Sequence, residues 1–155
     1  VDDRALHLRI CAQVKHRKHI TMIRGEYDDV TLCGLVGLCE AAIGARYHFC
    51  VFAASQGVPF VGTASGVYQQ TKLKGIADLC GLPRAFVDRD IDTADFSDVW
   101  PEVQWMMENL PAIRAHLRQT APLLKDASLS AVREAVRLLQ QSGGASDARH
   151  TAGAT

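Results

Sequence analysis

Seven residues between positions 44 and 72 carry the groups that could do chemistry together: Gly44, Arg46, His48, Ser65, Gly66, Tyr68 and Lys72. Arginine offers a planar fork of donors that matches a carboxylate or a phosphate. Histidine two residues on can give or take a proton near neutral pH. On an extended turn the two side chains can face the same side. A helix beginning near Tyr47 would add backbone N–H groups and the positive end of its dipole, which favour an anion. The second cluster, Ser65-Gly66 with Tyr68 and then Lys72, offers hydroxyls, flexible backbone and a point charge. Gly44, without a side chain, would let a ligand approach the backbone. An anion holder beside an acid/base group suits chemistry on a phosphorylated substrate. The plainer alternative is that Arg46 pairs with a surface carboxylate, His48 caps the helix and Lys72 is solvated.

These residues need turns to carry them. Leu6, Ile10 and Val14 recur at helical spacing among Arg, Lys and His, which predicts an amphipathic helix from Asp3 to Arg17. His7, His16 and His19 lie on or beside that charged helix and read as solvent-facing. A short β-rich run, His19 to Ile23, predicts a strand. Asp28 or Asp29 can cap the next helix, which runs from Val30 to Leu38. Ala41 to Gly44 reads as a strand, Tyr47 to Gln56 as a helix stopped by Gly57, and Val58 to Gly62 as the next strand. A loop over Thr63 to Tyr68 follows, then a helix from Thr71 to Cys80 ended by Gly81, and a strand from Ala85 to Asp88. Strands alternating with helices predict an α/β fold with a parallel, Rossmann-like sheet and right-handed crossovers. In such sheets ligands bind at the carboxyl ends of the strands, where the Arg46–His48 and Ser65–Lys72 turns would sit.

Beyond Asp95 the pattern turns helical, with Val99–Arg118 and Ser128–Gln141 separated at Ala121-Pro122. The tail from Ser142 is rich in Gly, Ala and Ser, with no apolar period, and is expected to be disordered. The expected division is thus an α/β domain over 1–95, a helical segment over 96–141 packed on it, and a tail over 142–155.

The 155 residues suffice for one core but not two. Seventeen basic residues balance seventeen acidic ones, which disfavours a nucleic-acid partner. The five cysteines are odd in number, contain no Cys-x-x-Cys pair and lie mostly in apolar runs, so free thiols in a reducing compartment are expected. No His/Cys/carboxylate cluster stands at metal-ligand spacing, so no metal is expected. No apolar run approaches the ~20 residues of a membrane span, and the polar opening VDDR does not read as a signal peptide. A cytoplasmic location follows as an expectation. The chain opens at Val1 rather than Met, which suggests a cut from a longer protein.

The stretch AAIGARYHFCVFAASQGVPFVG, followed by KLKGIADLCGL, resembles the C-terminal half of the polysaccharide pyruvyl transferase family. The matching residues are Gly44, Arg46, His48, Ala53, Ala54, Gly57, Pro59, Tyr68, Lys72, Gly81 and Leu82, and the upstream elements also fit, so the resemblance spans about residues 1 to 90. Two departures stand out. Phe49 follows His48 where the family has something smaller, and the Gly66-to-Lys72 stretch is longer than usual.

The resemblance implies one half of a glycosyltransferase-B-like architecture, two Rossmann-like halves facing across a cleft, with the N-terminal half supplied elsewhere. It implies transfer of pyruvate from phosphoenolpyruvate, as a ketal, onto a saccharide acceptor of a cell-surface polysaccharide or its precursor, with no cofactor. Arg46 would hold the donor's phosphate or carboxylate, and His48 would be the general acid. Lys72 and the Ser65-Gly66 backbone would neutralise donor charge, with Gly44 and Tyr68 completing the substrate site. A lipid-linked acceptor would bring the protein to the inner face of the membrane, and a homo-oligomer is compatible. The isolated half would have little activity. Two other readings stand beside this one: a nucleotide-sugar glycosyltransferase or epimerase domain, and a non-catalytic anion-binding module. No carboxylate follows Val61 to hold a ribose, which counts against the former.

Overall fold

The computed structural model describes residues 4–90 and 96–151. Asp3, the expected start of the first helix, the expected boundary at 95, and residues 152–155 lie outside the described residues. The chain forms two compact units, residues 1–32 and 33–155.

In the first unit, α1 spans Arg4–Gln13, and a 3-10 turn follows at Arg17–His19. His7, His16 and His19 are exposed, as expected of a charged segment. The strand expected over 19–23 does not form. An extended backbone needs a neighbour to take its hydrogen bonds, and these residues pair with no described strand, so β-rich composition alone does not make one. Helix α2 spans Asp29–Gly37. Its cap is Asp28, whose Oδ1 accepts the Thr31 N–H at 2.7 Å; the Thr31 side chain first, and this backbone bond second, hold the Asp28 carboxyl below the usual range.

The second unit is built on three parallel strands, β1 (Ala42–Gly44), β2 (Phe60–Ala64) and β3 (Phe86–Asp90), in the order β1-β2-β3. Ala42, Ile43 and Gly44 face Phe60, Val61 and Gly62 across β1 and β2. Between β2 and β3 the register shifts, with Gly62 opposite Phe86 and Ala64 opposite Asp90. Helices α3 (Tyr47–Ser55) and α4 (Val67–Leu79) make the crossovers and pack on each other and on the sheet. Helix α5 (Phe96–Glu108) covers β2 and β3 away from α3 and α4. With helices on both faces, β2 is apolar and buried along nearly its whole length, as a central parallel strand must be. Phe60, Val61, Cys50, Leu73, Met106 and Leu117 fill the core between these layers.

The boundaries follow local chemistry. Gly57 and Gly81 end α3 and α4 with φ of 68° and 66°, a conformation that costs glycine nothing. The loop expected over 63–68 is shorter: Thr63 and Ala64 finish β2, and α4 begins at Val67.

The interruption between the C-terminal helices lies at Asn109 rather than at Pro122. Asn109 Nδ2 donates to the Trp105 carbonyl at 2.8 Å, closing α5, and its own carbonyl accepts the Ile113 N–H. Pro111 then sits in the first turn of α6 (Leu110–Thr151), where a missing N–H costs nothing. Pro122 lies inside α6, which continues through it after Ile113 and Leu117 have been anchored in the core. The backbone of α6 is helical over 142–151, where the composition predicts no regular structure. No described helix is long and apolar enough to cross a membrane.

Candidate functional site

All three strands are parallel, so their carboxyl ends lie on one edge, and α3 and α4 begin there. Arg46 occupies the N-cap of α3, with extended backbone (φ −92°, ψ 127°) and a carbonyl that accepts the Phe49 and Cys50 N–H groups. The turn therefore places Arg46 just before the helix and His48 on its first turn. Both side chains are exposed, so neither is buried against the core.

The second turn behaves differently from its expected form. Ser65 is half-buried, and Gly66 is the N-cap of α4 with φ 74°. A β-carbon built at Gly66 would meet nothing within 4 Å, so it is the backbone conformation that calls for glycine there. Tyr68 and Lys72 both ride on α4 itself, one helical turn apart.

Lys72 nevertheless returns to the first turn. Its Nζ lies 4.3 Å from the Tyr68 ring centroid and 5.8 Å from that of Tyr47, the residue between Arg46 and His48. The Tyr47 ring in turn meets the His48 ring edge-on, at 5.5 Å and 69°. The sequence does not mark Tyr47 as a site residue. Its only sequence signal is its place inside the Arg-x-His triplet, where alternation would have turned it away from the site.

Gly44 has an aromatic neighbour on its side-chain face. The Phe49 ring lies over it, and a β-carbon at Gly44 would stand 2.5 Å from Phe49 Cδ1. The ring occupies the place that a side chain would take at Gly44. The large residue after His48 thus has a local partner, and Gly44 is glycine because Phe49 needs the room.

The structure therefore brings Arg46, His48 and Lys72 to one edge, with Tyr47 and Tyr68 between them and Ser65-Gly66 at the neighbouring turn. Two cations, an imidazole and a helix N-terminus at the end of a parallel sheet can hold an anion and pass a proton to it.

An open parallel α/β sheet with its polar turns gathered at the carboxyl edge defines a class of ligand-binding folds. Within it, residues 1–66 match the family model described as polysaccharide pyruvyl transferase. The matched segment holds Gly44, Arg46, His48, Ser65 and Gly66 and stops short of Tyr68 and Lys72. No curated protein and no solved structure matches the chain.

Proposed function

We propose that the chain supplies the donor-binding turns of a polysaccharide pyruvyl transferase and forms the C-terminal half of a glycosyltransferase-B-like enzyme. The observation that carries this reading is the convergence of Arg46, His48 and Lys72 at the carboxyl edge of a sheet whose first turn lies within the family match. Arg46 would clamp the carboxylate or phosphate of phosphoenolpyruvate. Lys72 and the backbone at Ser65-Gly66 would offset the remaining charge.

In the reaction, a proton from His48 adds to the terminal methylene carbon of phosphoenolpyruvate, which becomes a methyl group. The electron-poor central carbon is attacked by one saccharide hydroxyl. A second hydroxyl then displaces phosphate from the same carbon, closing the ketal. One hydroxyl proton restores His48 and the other leaves with phosphate, so the sum is phosphoenolpyruvate plus a diol giving a ketal plus phosphate. The acceptor would lie mainly on the facing half.

The test is acceptor-dependent phosphate release from phosphoenolpyruvate by the full-length protein, with oligosaccharide or lipid-linked acceptors. Release abolished by both His48→Ala and Arg46→Ala supports pyruvyl transfer at this turn. No release with any acceptor, together with tight binding of a nucleotide-sugar, replaces this reading with a glycosyltransferase.

A further inference from the structure

Lys72 is exposed and sits beyond the first turn of α4, so nothing in its helix position directs it at the Arg46–His48 turn. A lysine there has a long, freely rotating stem. Tyr68, four residues earlier on the same helix, can keep the stem along α4 but cannot choose its direction across to α3. Tyr47 can, because it belongs to α3, is half-buried and packs against the core. Its ring stands 5.8 Å from the Lys72 ammonium, within the range in which a ring face attracts a cation. The same ring holds the His48 imidazole edge-on.

We propose that Tyr47 is a positioning residue of the donor site, holding the Lys72 ammonium beside the Arg46–His48 turn so that two successive βα units act on one anion. This role rests on the donor reading above. The ring face does the work, and the phenol hydroxyl is dispensable. Tyr47 touches no reacting atom in this scheme and acts through Lys72.

The experiment uses the full-length protein as wild type, Tyr47→Phe, Tyr47→Leu, Lys72→Met and the Tyr47→Leu/Lys72→Met pair. Two quantities are read: the NMR shift of the Lys72 ε-methylene protons, and the affinity for phosphoenolpyruvate by calorimetric titration. An ammonium held over two rings has its neighbouring methylene displaced upfield, and that displacement should shrink in Tyr47→Leu and persist in Tyr47→Phe. Donor affinity should be unchanged in Tyr47→Phe and about two- to fivefold weaker in Tyr47→Leu, the size of an exposed cation–π contact. In the Lys72→Met background, Tyr47→Leu should cost nothing further. A Leu penalty undiminished in that background overturns the proposal, as does a Phe variant as weak as Leu or a Lys72 shift indifferent to Tyr47. Failure of the wild type to bind phosphoenolpyruvate overturns the donor reading and this role with it. The Lys72 shift then separates a wrong ligand, with the tether intact, from a wrong geometry.

Discussion

The Phe49 ring lies across Gly44 so closely that a β-carbon there would fall 2.5 Å from Cδ1 and 2.8 Å from Cε1. The last residue of β1 and the first turn of α3 are thereby locked together, and Arg46 and His48 sit on the segment between them and beside them. Gly44→Ala should destabilise the protein by about 1–3 kcal/mol, the usual cost of forcing atoms into a packed contact. Chemical denaturation of Gly44→Ala, Phe49→Leu and the pair checks this. The pair should recover much of the loss, because leucine withdraws the ring edge. An additive pair would show that the contact is not the cause.

His48 is exposed and its side chain fills no space in the core, so His48→Ala should leave stability within about 0.5 kcal/mol. If it is the general acid, phosphate release should drop by about 10²- to 10⁴-fold. Thermal melts and phosphate release, measured on the same samples, separate the two effects. A variant that melts early and loses activity in proportion would assign His48 a structural part instead.

The five thiols should divide sharply in reactivity. Burial pushes Cys50 up to about 12, with Cys80 adding to the effect, and burial pushes Cys80 up to about 11. Neither should react with a thiol reagent at pH 8 in the folded protein, whereas exposed Cys39 should react at once. Mass mapping of labelled peptides before and after denaturation reads this directly.

The same thiols predict alkaline weakening. Their folded values lie above the ordinary thiol value of 9.0, so the unfolded chain gives up protons first as pH rises. The native state then binds more protons than the unfolded one, and stability falls with increasing pH. Their contribution is intact below about pH 9 and is lost progressively toward pH 11–12. Melting temperatures from pH 8 to 11.5 should decline, and more gently in Cys50→Ala, once its lower neutral-pH baseline is subtracted. An equal slope in that variant would place the decline elsewhere.

At the opposite end of α4, His116 Nε2 donates to the Cys80 carbonyl at 2.7 Å, one of the groups a helix leaves unpaired at its C-terminus. His116→Ala should cost about 1 kcal/mol. Gly81→Ala should cost at least as much, since the new methyl would meet His116 Nε2 at 3.3 Å in a backbone conformation of φ 66°. Urea denaturation of both single variants provides the comparison.

The alternation of apolar runs and turn residues was enough to predict a parallel α/β sheet, and Gly57 and Gly81 marked the ends of α3 and α4 because only their backbone conformation suits the stop. The Arg-x-His triplet and its apolar helix were legible for the same local reason, and the family match over 1–66 includes that stretch. Local patterns did not reveal where neighbours would be missing or present. The 19–23 run has strand composition but no described partner strand, and Pro122 looks like a break but lies inside a helix already anchored by Leu117. The use of Gly44 was likewise hidden, because a glycine's vacancy belongs to whichever side chain folds over it. Tyr47 shows the division most clearly. Sequence spacing turned it away from its neighbours Arg46 and His48, but the packing of α3 beside α4 sets its ring against Lys72, and a contact between residues 25 positions apart is decided only by that packing.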